Sequence, residues 1–132
     1  MKRSRDVLPR PTQAELEILR VLWDRGRASV REVVDALSVR RAAGYTTILK
    51  LLQIMTEKGL VTRDERLRTH VYVATLEREQ TQRQLLDDLL ERAFEGSAGR
   101  LVMQALSARR ASREELAEIR ALLERLEGGK SR

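Results

Sequence analysis

Apolar residues recur at i, i+3, i+4 and i+7 in several separate stretches of the chain, and each stretch predicts a helix with one buried face. Leu16, Leu19, Leu22 and Trp23, supported by Ile18, form the first stripe. Thr12 and Glu15 stand before it at the spacing of a capping box, and Gly26 follows it as a stop. Ser29 and Glu32 repeat the box ahead of Val30, Val33, Val34 and Leu37, a short second helix. The segment Ser38–Gly44 carries Arg40 and Arg41 and ends on a glycine placed to cap a third helix. Ile48, Leu51, Leu52 and Met55 are the stripe of that helix, which Gly59 closes. The period then changes. Leu60–Arg63 and Thr69–Val73 are β-branched and extended in character, with a charged tip at Asp64–Arg68 between them, and this predicts a hairpin.

From Thr75 the pattern is helical again. Leu85, Leu86, Leu89, Leu90, Ala93 and Phe94 make a broad stripe ending at Gly96, and Leu101, Val102, Ala105 and Leu106 a shorter one. Ser112 and Glu115 form a third capping box before Leu116, Ile119, Leu122, Leu123 and Leu126. The expected fold is mainly α with a small β-hairpin: a winged helix-turn-helix over residues 10–74 and three helices over residues 75–128. Three helices of this length make a poor solitary core. Either they pack back on the first domain or they pair with the same segment of a second copy. Two-fold pairing is the expectation, with Leu85, Leu86, Leu89, Leu90, Phe94, Leu101, Val102, Leu106, Leu116, Ile119, Leu122 and Leu123 as the interface.

Composition sharpens this picture. The chain of 132 residues is 42% hydrophobic but only 3% aromatic, so its core must come from aliphatic residues. Residues 1–74 hold 15 Lys+Arg against 9 Asp+Glu, whereas residues 75–132 hold 11 of each; the whole net charge of +6 therefore lies in the first half. That half suits a polyanion. On the third helix, Thr46, Thr47, Lys50 and Gln53 lie off the apolar stripe and offer hydrogen-bonding groups with one positive charge and no carboxylate, which fits insertion into a DNA major groove. The candidate DNA-binding residues are Arg40, Arg41, Gly44, Tyr45, Thr46, Thr47, Lys50 and Gln53, with Arg63, Arg66 and Arg68 of the hairpin meeting phosphate. The competing reading is a solvated face and a solvated charged turn, because Asp64 and Glu65 interrupt the arginines. A protein-interaction module is the second functional reading, with Leu49 and Ile54 as its apolar patch.

Enzyme chemistry is not expected. The chain has one histidine, His70, in a predicted strand, and no cysteine, so thiolate metal sites and disulfides are excluded. No cofactor or metal is expected. Gly129-Lys130-Ser131 resembles the end of a phosphate-binding loop, but Glu124 stands where the earlier glycine belongs. No apolar run approaches the ~20 residues that span a bilayer, and the basic start lacks the apolar stretch of a secretory signal, so a cytoplasmic protein without membrane contact is expected.

The segments Pro11–Leu19 with Leu22-Trp23, Tyr45-Thr46-Thr47-Ile48 with Leu51-Leu52, and Glu57-Lys58-Gly59-Leu60-Val61 resemble the penicillinase-repressor family over about residues 10–127. The resemblance implies a dimeric repressor that binds a palindromic operator, with Thr46, Thr47 and Lys50 in its recognition helix. It also implies, for the antibiotic-responsive branch, a membrane-bound sensor protease as partner and cleavage at an Asn-Phe bond; the matching bond here is Gln104-Ala105. The copper-responsive branch binds metal through paired cysteines, which this chain does not have.

Overall fold

The computed structural model describes residues 10–38 and 44–130, so Arg40 and Arg41 lie outside the described residues. The elements run α1 (Gln13–Arg25), α2 (Val30–Leu37), α3 (Tyr45–Lys58), β1 (Val61–Asp64), β2 (Val71–Ala74), α4 (Arg78–Ala93), α5 (Ala98–Ala108) and α6 (Arg113–Lys130). Among the described residues the fold is mainly α with one antiparallel hairpin, and its first part is the helix, helix, helix, hairpin order of a winged helix-turn-helix.

Local chemistry sets the helix boundaries. Thr12 Oγ1 accepts from the Glu15 backbone N–H at 3.2 Å while the Thr12 N–H donates to Glu15 Oε1 at 2.9 Å. Ser29 and Glu32 make the same reciprocal pair before α2, and Ser112 and Glu115 make it before α6. Each pair satisfies donors that a helix start leaves without partners. Ser97 caps α5 through the Arg100 N–H at 3.1 Å, a start with no carboxylate partner to announce it in the sequence.

The core lies among α1, α2, α3 and the hairpin. Ile18, Leu19, Leu22, Val33, Ile48, Leu52, Met55, Val61 and Tyr72 are each almost wholly buried. Leu16, Trp23, Leu49 and Leu51 pack against this cluster from its margin. Trp23, a member of the first stripe, is half-buried at the core's margin, and its indole N–H donates to the Leu76 carbonyl at 2.9 Å.

The hairpin begins one residue later than the sequence pattern suggests. The Leu60 N–H donates to Met55 O at 2.9 Å and the Gly59 N–H to Thr56 O at 3.1 Å, a Schellman closure of α3 with Gly59 at φ 86. Leu60 therefore belongs to the helix cap. The strands pair from Val61↔Ala74 to Asp64↔Val71. A two-stranded hairpin is marginal alone, and here the turn between α1 and α2 completes it: Ala28 and Tyr72 exchange both backbone hydrogen bonds, at 3.1 and 2.8 Å.

The chain divides into two compact units at Leu86/Asp87. In the second unit, no described residue is buried. Leu89, Val102, Met103, Leu106, Leu122, Leu123 and Leu126 are exposed there, Met103 at 69%. Leu90, Phe94, Leu101, Leu116 and Ile119 are half-buried. Leu85 is half-buried and Leu86 exposed at the end of the first unit.

Candidate nucleic-acid interface

Ile48, Leu52 and Met55 anchor α3 in the core, so its opposite side must face outward. Gly44, Tyr45, Thr46, Thr47, Lys50 and Gln53 are all exposed on it. The α3 N-cap is Gly44, which has no side chain to accept from the first-turn N–H groups, and that turn carries no acidic residue. A helix start whose N-cap offers no side-chain acceptor and whose first turn carries no carboxylate favours an anion.

Tyr45 opens this face. The Arg31 guanidinium of α2 lies over its ring, 5.1 Å from the centroid, a cation–π stacking that holds the ring between the two helices. Nothing in the sequence around Arg31 marks it for this role beyond its charge; its place over Tyr45 comes from how α2 and α3 meet.

Tyr45 and the hairpin share one cleft. It encloses about 350 Å3 and is lined by Arg31, Tyr45 and Leu49 together with Arg63, Arg68, Thr69 and His70. The fold thus brings together one end of the α3 face and two of the three hairpin arginines. His70 is exposed on this rim. Leu49 lines the cleft while packing against the core, and Ile54 is half-buried, so each of the two residues expected to form an apolar patch is only partly exposed.

Electrostatics at the hairpin tip differ from a simple row of cations. Arg63 is ion-paired with Glu65. That bond and a weaker one with the Tyr72 hydroxyl hold its guanidinium more firmly charged than usual. Arg66 is paired with Asp64: its Nε donates to Oδ1 at 3.0 Å, Nη2 to Oδ2 at 2.8 Å, and its backbone N–H to Oδ1 at 3.0 Å. These bonds, the side-chain one foremost, hold the Asp64 carboxyl far below the usual carboxylate range, with the Arg27 charge adding to the effect. Arg68 has no carboxylate partner among the described residues.

No group of His, Cys, Asp and Glu among the described residues could hold a metal ion. No helix among them is long and apolar enough to cross a membrane.

Comparison with known proteins gives a consistent family. A transcriptional regulator BlaI of Mycobacterium tuberculosis is 32% identical over 123 residues, covering 92% of this chain and 88% of the relative. A penicillinase repressor of Bacillus licheniformis is 26% identical over 117 residues, covering 89% and 91%. The solution structure of the DNA-binding domain of the repressor BlaI superposes with a TM-score of 0.49 at 26% identity, covering 55% of this chain and 89% of that one. The family described as penicillinase repressor matches residues 11–125, and the chain belongs to it.

Proposed function

We propose that the chain is a dimeric, sequence-specific transcriptional repressor that lays α3 into the major groove of a palindromic operator. The relatives' names as transcriptional regulator and penicillinase repressor support the regulatory role. The observation that carries the groove reading is the two-sided α3, with Ile48, Leu52 and Met55 in the core and Tyr45, Thr46, Thr47, Lys50 and Gln53 outside. Thr47, Lys50 and Gln53 read base edges, and Tyr45, Gly44 and the hairpin meet the backbone. Arg40 and Arg41 lead into the same helix start and add phosphate contacts. In this reading residues 10–74 bind DNA and residues 75–128 hold two copies together, although the compact units divide later, at Leu86/Asp87 within α4.

Dimerisation is supported by the aliphatic side chains that a single copy leaves exposed. Leu86, Leu89, Val102, Leu106, Leu122 and Leu123 lie at 39% to 52% exposure. Apolar surface of that extent marks an interaction site. A second copy covers it symmetrically and sets two α3 faces about one or two helical turns apart on the duplex. A repressor of this kind works in the cytoplasm and needs no cofactor. A protease partner stands on the family likeness: Gln104 and Ala105 are exposed, but their bond lies inside α5, so cleavage requires that helix to open.

The protein-interaction reading needs an apolar outer face on α3, but Leu49 and Ile54 are only half-exposed there, whereas Tyr45, Thr46, Thr47, Lys50 and Gln53 are exposed. A binding assay against a random duplex pool separates the two readings. The proposal expects enrichment of a two-fold repeat, with affinity that falls steeply with salt. Lys50→Ala or Thr47→Ala relaxes the base preference, by about 1–3 kcal/mol for a good base contact. Arg68→Gln weakens binding to every sequence alike and lowers the salt slope by about 1. Salt-insensitive binding, or no enrichment, contradicts it.

A further inference from the structure

The hairpin tip places Arg63, Arg66 and Arg68 beside Asp64 and Glu65. If the tip served only to attract phosphate, the two carboxylates would weaken it. Asp64 is instead built into the tip. It is the last residue of β1, its side chain is 18% exposed, and Arg66 gives it three hydrogen bonds, one from the backbone and two from the guanidinium. The backbone bond fixes the turn. The two-point side-chain bond fixes the direction of the guanidinium, a geometry that arginine's planar fork allows and lysine's ammonium does not. Arg66 nevertheless remains 86% exposed, and its head has more donors than the two Asp64 occupies.

We propose that Asp64 is a positioning residue for DNA recognition, neutralising Arg66 and aiming its remaining donors at one phosphate. This rests on the DNA-binding reading above and deepens it. A free guanidinium on a flexible stem finds a phosphate on any duplex. One that is held and half-neutralised gains only where the backbone comes to it, and α3 sets that place when it is seated on its own sequence. Asp64 thereby lowers indiscriminate affinity more than operator affinity.

The test uses the full chain, a duplex enriched by the wild type from a random pool, and a scrambled duplex of equal length. Asp64→Asn keeps an oxygen that can accept the Arg66 backbone N–H but removes the charge. The expected result is a rise of about threefold to tenfold in affinity for the scrambled duplex, a smaller rise for the enriched one, and a salt slope steeper by about 0.9. Arg66→Lys leaves Asp64 and the net charge in place but loses the fork. It is expected to narrow the preference between the duplexes without changing the slope. Equal shifts on both duplexes for Asp64→Asn, or an unchanged preference for Arg66→Lys, would overturn the proposal. A wild type that does not distinguish the two duplexes would instead count against the DNA-reading function itself.

Discussion

Glu15 shows how one carboxylate can serve two elements. It is 2% exposed, accepts the Thr12 N–H as half of a capping box, and also receives Lys58 Nζ at 3.1 and 2.8 Å from the end of α3. The capping role was legible from the Thr12–Glu15 spacing; the ion pair was not, because 43 residues separate its partners. Removing one partner of a buried pair leaves the other charge poorly compensated. Lys58 is 30% exposed and Glu15 keeps its cap bond, so Lys58→Ala is expected to cost about 1–3 kcal/mol in urea unfolding. A loss below a few tenths would mean that the pair is only a surface contact. Asp64 gives a second test at this scale. Its folded pKa is depressed, so its contribution to stability is fully present above the ordinary carboxylate range and is lost progressively as pH falls from that range down to the depressed value. Carboxyl NMR signals should show Asp64 still ionised at about pH 3, where exposed carboxylates have largely protonated. Titration with the others would show that the Arg66 pair does not persist in solution.

Among the elements, the helices were readable and the hairpin's supports were not. Helical periodicity and capping boxes are local signals, so α1, α2, α3 and α6 begin where Thr12, Ser29, Gly44 and Ser112 indicate. The Ala28–Tyr72 pairing joins residues far apart in the chain, and nothing in Ala28's neighbours marks a strand. The same limit applies to the interface. The α3 face followed from its own periodicity, whereas Arg31 over Tyr45 and Asp64 under Arg66 depend on how elements and turns meet. Ser29 joins both kinds of information, since it caps α2 directly beside the Ala28 bridge. Ser29→Ala is expected to lower stability by about 1 kcal/mol. Hydrogen exchange should quicken first in α2, and uniform loss of protection across the fold would show that the cap has no local role.

At the scale of the whole molecule, charge and apolar surface are divided between two parts of the chain. The excess positive charge is confined to residues 1–74, while most of the exposed large aliphatics lie on α4, α5 and α6. On the proposed function, the first surface meets DNA and the second meets another copy of the chain. Leu123→Asp places a charge among the exposed α6 leucines. Sedimentation is expected to show a dimer for the wild type and a monomer for the variant at the same concentration, with the helical content of residues 10–74 retained. A wild type that sediments as a monomer would remove the basis for two-fold DNA reading.

The most direct measurement is nuclease or hydroxyl-radical footprinting of the full chain on its enriched duplex, combined with the mass of the complex. The account predicts two symmetric protected half-sites on one duplex face, two protein copies, and loss of base preference within both half-sites for Lys50→Ala. A single unrepeated footprint with one copy bound, or protection unaffected by Lys50→Ala, would contradict it.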